Sequence, residues 1–187
     1  MLSLIIFIPL IAALGLLMVS RDNTAMIKVI GVGAAGSSFS LSLWLLFSFD
    51  TTSAEMQFVQ MFHWVPALHI NYLVGVDGIS LWMVVLTAFL GLIAILFSFN
   101  QKDGFRNFMA LMLALEAGTL GVFLALDTIL FYVFWELMLV PTYFLIGVWG
   151  EGRRVYATMK FVIFTLVGSL LMLVAIISLT MIHYGAT

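Results

Sequence analysis

The stretch Leu130–Pro141, LFYVFWELMLVP, decides the fold because it lies within an apolar run long enough to cross a lipid bilayer. The chain has 187 residues, of which 64% are hydrophobic and 9% are charged. Soluble domains carry about 25% charged residues, so this composition indicates an integral membrane protein. The apolar runs are continuous over about 20 residues, whereas the strands of a membrane barrel alternate over about 10 residues. The sequence therefore predicts an all-α integral membrane protein, folded as a helical bundle.

Polar interruptions divide the chain into six predicted spans within one transmembrane helical domain, residues 1–187. The boundary between the fourth and fifth spans is the least marked, since Asp127 and Thr128 form nearly the whole interruption. A single helix over residues 107–149 would be about 64 Å long, roughly twice the hydrocarbon core, so the chain must turn back at Asp127. The predicted spans are residues 2–20, 26–49, 78–99, 107–126, 128–149 and 156–183.

The positive charges predict the orientation of the spans. All Lys and Arg residues fall in or beside the first, third and fifth connections between spans. Cytoplasmic loops carry the excess of Lys and Arg in membrane proteins, so these connections are expected inside and both termini outside. The basic residues are Arg21, Lys28, Lys102, Arg106, Arg153, Arg154 and Lys160.

The outside-facing segment, residues 50–76, is polar and aromatic, and Pro66 lies between its two halves. Apolar residues alternate with others from Ile70 to Val76, which is typical of a strand. A small β-hairpin and an interfacial helix lying on the membrane both fit this pattern, and the hairpin is preferred. Directly after the segment, Asp77 is expected to cap the third helix.

Composition also excludes several classes of function. The chain has no cysteine, which removes disulfides, a cysteine nucleophile and thiolate-bound iron–sulfur clusters. His63, His69 and His183 lie away from the middle of any span, so no haem or other metal site is expected within the bilayer. The net charge of −2 argues against nucleic acid binding. The first span has no basic residue ahead of it and is expected to be retained rather than cleaved as a signal peptide.

Glu136 is the strongest candidate for a functional residue. It lies in the middle of the fifth predicted span, where a carboxylate costs roughly 3 kcal/mol or more. Buried acids in membrane helices commonly move protons or bind cations. We therefore interpret Glu136 as a proton relay; the alternative is an acid that only holds helices together.

Glu116 is a second acid at membrane depth, in the fourth predicted span. It precedes Asp127 by 11 residues and Glu136 follows Asp127 by 9, so the two acids differ in depth by about 3 Å. If their faces meet, both cannot be ionised cheaply in one low-dielectric site, and Glu116 is then a possible second carrier of protons. The alternative is a neutral, hydrogen-bonded acid within a packed interface.

Two further residues bear on this site. Pro141 lies five residues after Glu136, and its missing N–H frees the carbonyl of Leu137 and can kink the helix beside the acid. Lys160 lies near the start of the sixth span, where its side chain is expected to snorkel to the interface. No basic residue is expected deep in the membrane. A counter-charge for Glu136 is therefore expected from outside this chain.

Two groups of small residues predict close helix packing. Gly31–Gly36 matches the dinucleotide-binding spacing G-x-G-x-x-G, but it lies inside an apolar span rather than after a strand. Packing through small residues is the preferred interpretation, because Gly31 and Ala35, and also Ala34, Ser38 and Ser42, recur every four positions. Ala117, Gly121 and Ala125 repeat the small-residue spacing on the fourth span and are interpreted in the same way.

Several stretches together resemble one family of membrane proteins. They are similar to the antiporter-like subunit M, or chain 4, of proton-pumping NADH:quinone oxidoreductase, respiratory complex I. More distant resemblance extends to subunits of multi-subunit Na⁺/H⁺ antiporters. The stretches are Val76–Leu81, Phe123–Asp127, Phe134–Gly150, Lys160-Phe161 and Leu166–Leu173.

The resemblance implies a proton-translocating subunit in which Glu136 matches the family's fifth-helix glutamate. It implies that NADH, flavin, iron–sulfur clusters and quinone are held by partner subunits, with no cofactor in this chain. Family members continue with further spans that carry a partner lysine. The partners expected are therefore the lipid bilayer, other membrane subunits and the remaining spans of the same subunit. A bacterial inner membrane, or an equivalent energy-transducing membrane, is the expected location.

Two alternative functions remain open from the sequence. A subunit of a multi-subunit Na⁺/H⁺ antiporter would use the same fold without a redox reaction. A structural membrane scaffold would use the buried acids only to hold helices together.

Overall fold

The computed structural model describes residues 1–53, 55–65, 70–101 and 103–185, with side chains up to Ile182. Pro66, His69 and Lys102 lie outside the described residues. Within the described part, the chain forms six α-helices and a two-stranded sheet, β1 and β2. Each helix end lies within two residues of the predicted one. The elements are α1 Leu2–Met18, α2 Thr24–Ser48, β1 Gln57–Val65, β2 Ile70–Val76, α3 Gly78–Phe97, α4 Phe105–Leu124, α5 Thr128–Trp149 and α6 Arg154–Gly185.

The helices have the length and composition of membrane spans. Helices α2 to α6 are each long and apolar enough to cross a bilayer, and α1 is a shorter apolar helix of 17 residues. Seventeen residues rise about 25 Å, which is at the lower limit for a span. The all-α, multi-span fold class is confirmed, and the first of the six predicted spans is the shortest.

The hairpin lies at the end of the bundle where α1 and α5 begin. The backbone N–H and the hydroxyl of Ser3 both donate to the side-chain oxygen of Gln60 in β1, at 3.1 and 2.7 Å. The N–H of Leu126, between α4 and α5, donates to the carbonyl of Leu73 in β2 at 2.9 Å. We call this end of the bundle the hairpin end.

At the opposite end, Arg106 at the start of α4 donates to the carbonyls of Leu17, in the last turn of α1, and Val19, just after it, at 3.2 and 3.0 Å. The Trp149 indole at the end of α5 donates to the carbonyl of Asp103 at 2.7 Å. The helices therefore run alternately up and down. The described basic residues all lie within about two turns of the helix ends on this side, which we call the basic end.

The segment between α2 and α3 is a β-hairpin rather than an interfacial helix. Strands β1 and β2 pair antiparallel, with a register irregularity between Gln57 and Gln60 that places Phe58 at φ +54°. Asp77 caps α3 as expected: its carboxylate accepts from the N–H groups of Ile79 and Ser80 at 3.1 and 2.7 Å. These hydrogen bonds, chiefly that from Ser80, lower the pKa of Asp77.

Helix α4 is the centre of the bundle and packs against α1, α3 and α5. Among the predicted small-residue groups, Gly31 of α2 faces Met109 of α4, so the packing interpretation is confirmed there. Ala34, Ala35, Ser38 and Ser42, which share the small-residue spacing with Gly31, are also buried, whereas Gly33 and Gly36 face open space. Helix α6 lies at the edge of the bundle and packs chiefly on α5. Its buried side chains are Thr158, Ser169 and Ile176.

Candidate functional site

Glu136 lies near the middle of α5, about 12 Å from the first residue of the helix. Asp127 fixes the start of this helix, because its carboxylate accepts from the N–H groups of Ile129 and Leu130 at 2.9 and 3.0 Å. The Glu136 side chain is half-buried. Its Oε1 atom is fully buried and has no hydrogen-bond partner among the described residues.

The carboxyl group of Glu136 lies on the side of α5 that faces away from α4. The buried residues of α5, which include Phe134 and Pro141, mark the side packed against α4. Glu136 follows Phe134 by two residues, which is about 200° around the helix. Gly147 follows Glu136 by 11 residues, about 20° around the helix, and packs against Thr158 of α6. Glu136 is therefore on the α6 side.

Two hydroxyl groups accompany Glu136 on this side. The phenol of Tyr132, one turn earlier on α5, lies close enough to the Glu136 carboxyl group and to the Ser169 hydroxyl of α6 to interact with both electrostatically. Ser169 is 2% exposed, and its hydroxyl also donates to the carbonyl of Leu166 at 3.1 Å. The three side chains form a polar group between α5 and α6, in an otherwise apolar part of the bundle.

Glu116 lies in a different interface. Its side chain, on α4, is 5% exposed, and both carboxyl oxygens lack a hydrogen-bond partner among the described residues. The carboxyl group lies directly against Gly91 of α3. Gly118 and Gly121, which pack against α5, are about 200° and 140° around α4 from Glu116.

The structure therefore does not bring the two acids together in one site. Glu116 points from α4 toward α3, and Glu136 points from α5 toward α6. The seam between α4 and α5, where Gly118 and Gly121 contact Met138 and Phe134, separates them. The sequence correctly predicted that both acids lie at similar depth in the middle of the bundle. Depth alone does not determine the direction in which each side chain points.

The remaining predicted residues take secondary positions. Pro141 is buried on the α4 side of α5, and the helix continues through it to Trp149. Lys160 is exposed near the start of α6, with its Nζ 5.9 Å from the centre of the Tyr156 ring.

Sequence reasoning missed Tyr132 as a polar neighbour, although its spacing of four residues from Glu136 places the two on one helix face. Among the described residues, no cluster of three or more His, Cys, Asp or Glu side chains has the arrangement of a metal site.

Known proteins match this chain in both sequence and fold. The family model described as NADH:quinone oxidoreductase/Mrp antiporter, TM, matches residues 125–186. The NADH-quinone oxidoreductase subunit M of Rhodobacter capsulatus is 42% identical over 97% of this chain and 36% of its own length. The resemblance predicted from the sequence is confirmed.

Solved structures show the same fold. A chain of respiratory complex I from Thermus thermophilus with bound NADH matches with a TM-score of 0.81 and 30% identity, over 95% of this chain and 35% of that one. A chain of the Mrp complex from Dietzia sp. matches with a TM-score of 0.79 and 22% identity, over 98% of this chain and 20% of that one. The chain is thus a multi-pass membrane protein that spans about a third of the length of the subunit M relatives.

Proposed function

We propose that this chain is a proton-translocating part of a membrane subunit of NADH:quinone oxidoreductase, in which Glu136 relays protons. The observation that carries the proposal is the position of Glu136. It is an acid in the middle of an apolar helix, with a buried oxygen atom that lacks a partner among the described residues. The 42% identity to a subunit M supports the assignment to this class of complex.

The proposed mechanism is electrostatic. Ionising a carboxyl group in a low-dielectric environment is costly, so the proton on Glu136 is held or released according to the charge nearby. When the Glu136 carboxyl group is ionised, it accepts a hydrogen bond from the Tyr132 phenol. When the carboxyl group is protonated, its own hydroxyl donates to the phenol oxygen. The Ser169 hydroxyl on α6 orients the phenol. A change in charge beside α5 or α6 then moves one proton on or off Glu136.

The partners follow from the same proposal. NADH oxidation and quinone reduction take place in other subunits, which hold the flavin, the iron–sulfur clusters and the quinone. Other membrane subunits and the remaining spans of this subunit supply the counter-charge for Glu136. The complex resides in a bacterial inner membrane or an equivalent energy-transducing membrane.

A subunit of a Na⁺/H⁺ antiporter is the second candidate. The family model that matches residues 125–186 includes Mrp antiporters in its description, which supports this candidate. Glu136 would serve the same proton-carrying role in it. The difference lies in the driving force, which would be a sodium gradient rather than a redox reaction. A scaffold without an ion path is the third.

The test is the isosteric substitution Glu136→Gln in the assembled complex, reconstituted in vesicles. NADH-driven acidification is expected to fall while the complex still assembles, because glutamine keeps the shape of the side chain but cannot carry the proton. The matched control is Glu151→Gln, which makes the same change at an exposed residue between α5 and α6. Normal pumping by the Glu136→Gln complex contradicts the relay and favours the scaffold. Proton flux that needs sodium and proceeds without NADH favours the antiporter.

A further inference from the structure

Gly91 and the carboxyl group of Glu116 make an unusually close contact between α3 and α4. A Cβ atom added at Gly91 would lie 2.7 Å from the carboxyl carbon of Glu116 and 3.0 Å from each carboxyl oxygen. Cβ atoms in proteins essentially never approach other heavy atoms closer than 3.0 Å. Any side chain at position 91 therefore displaces this carboxyl group.

We infer that Gly91 is a positioning residue, which holds the carboxyl group of Glu116 in the α3–α4 interface as a second protonatable site, separate from Glu136. The role of this second site in proton translocation rests on the proposed function. Its existence rests on the contact with Gly91 and on the burial of Glu116.

The depths of the two residues agree with this assignment. Glu116 lies about 16 Å along α4 from Phe105, and Gly91 lies about 15 Å from Asn100, the last residue of the helical turn after α3. Side chains on a helix lean toward its N terminus, so the Glu116 carboxyl group leans toward the basic end. Both residues are thus within the apolar part of the bundle, away from either surface.

Helix α4 cannot easily shift to relieve a clash at Gly91. On its other sides, α4 carries Gly118 and Gly121 against α5, where added Cβ atoms would also clash with α5. Because protein interiors are densely packed, moving the whole of α4 would disturb its other contacts. The Glu116 side chain at the contact is therefore the group that moves. Displacement of the Glu116 carboxyl group is therefore the expected response to a larger residue at position 91.

A purely structural role for Gly91 predicts something different. Gly31 has the same clearance, since a Cβ there would lie 2.7 Å from the terminal methyl of Met109. Methionine is flexible and apolar, so that contact serves packing alone. Gly91 instead faces a buried acid whose two oxygens lack a partner among the described residues. Burying such a group costs free energy, and acids at membrane depth are usually there for a function.

The test compares Gly91→Ala with Gly31→Ala by infrared difference spectroscopy of the assembled complex during titration. The carboxyl band of Glu116 is first identified as the band that disappears in Glu116→Gln. Gly91→Ala is expected to shift or abolish this band, and Gly31→Ala is expected to leave it unchanged. An unchanged Glu116 band in Gly91→Ala overturns the inference, as does an equal shift in both variants.

A double-mutant comparison keeps the inference testable if Gly91→Ala prevents assembly. Glu116→Asp shortens the acid by one methylene and makes room for a methyl group at position 91. The complex carrying both Gly91→Ala and Glu116→Asp is expected to assemble at a higher level than the one carrying Gly91→Ala alone. Failure of Glu116→Asp to restore assembly overturns the inference.

The outcome for the proposed function is separate. A Glu136→Gln complex that pumps normally contradicts the relay at Glu136, whereas the infrared band of Glu116 reports on Gly91 whether or not the complex pumps.

Discussion

The two buried acids lie in regions of different character. Glu116 is enclosed by the bundle of α1 to α4 and is 5% exposed. Glu136 is half-buried between α5 and α6, at the edge of the bundle, beside a helix that packs chiefly on α5. An acid that exchanges protons must be reachable by other groups, and this requirement favours Glu136 as the relay. Glu116 lies in a more closed interface, where it is the second protonatable site inferred above.

The edge position of Glu136 also explains why a counter-charge is expected from elsewhere. Much of the α6 surface is apolar and exposed, with Phe164 at 81% and Leu171 at 66%. This chain covers 36% of the length of its Rhodobacter capsulatus relative, so a full-length subunit has further residues that could form additional helices. Further helices packed on α6 would enclose Glu136 and bring a partner group to it.

The largest expected effect comes from substitutions of Glu136, which distinguish the need for an acid from the need for a side chain of that shape. Glu136→Asp keeps an acid but withdraws it from Tyr132, so we expect partial pumping. Glu136→Gln removes the proton-carrying group, for which losses of about 100-fold are typical. Proton uptake by vesicles at matched levels of assembled complex measures both variants. Equal activity of the Asp and Gln variants would mean that the proton on residue 136 is not used.

The second prediction concerns the seam that separates the two acids. Gly121→Ala places a methyl group against the Phe134 ring and should destabilise the packing of α5 on α4 by about 2 kcal/mol. The control is Gly33→Ala, where the added methyl group meets open space. Thermal unfolding of the two variants in detergent measures the difference. Equal stability of both would indicate that α4 and α5 are less tightly packed than the structure shows.

Much of the fold could be predicted from the sequence because its signals are strong. Continuous apolar runs predicted the helices, and the excessive length of residues 107–149 predicted the turn at Asp127. The acid before Gly78 predicted the cap of α3. The segment between α2 and α3 remained ambiguous, since alternation in one half fits a strand and the aromatic residues also fit an interfacial helix.

The directions in which the acids point could not be predicted from the sequence. A helix that is apolar on every side has no polar face to orient it, so the side of α5 that faces α4 is undefined. The positions of Gly118 and Gly121 on α4 were available as a signal, because small residues mark a close helix contact. Their angular distance from Glu116 indicates that Glu116 points away from that contact.

The third prediction tests the polar group beside Glu136. Tyr132→Phe removes the phenol that lies beside the Glu136 carboxyl group and Ser169, and should cost up to about 1.5 kcal/mol, the upper end for an ordinary hydrogen bond. Tyr143→Phe is the matched control, because Tyr143 lies on the same side of α5 but is 40% exposed. Unfolding of the purified complex measures both. A loss of stability in Tyr143→Phe larger than in Tyr132→Phe would show that Tyr132 does not form a polar group with Glu136 and Ser169.

The smallest expected effect lies at the hairpin end, far from both acids. Asp77→Ala removes the cap of α3 and should cost about 1 kcal/mol, whereas Asp77→Asn should cost little because asparagine caps as well as aspartate.

The hydrogen bonds from Ser80 and Ile79 lower the pKa of Asp77 in the folded state. The ionised cap therefore contributes its full stability above the ordinary pKa of aspartate, near 3.8, and this contribution is lost as pH falls through the lower folded value. Asp77→Asn should abolish this part of the acid dependence while keeping stability at neutral pH. Unfolding midpoints of the wild-type, Asn and Ala proteins at neutral and acidic pH test this, and an unchanged acid dependence in Asp77→Asn would assign it to other carboxyl groups.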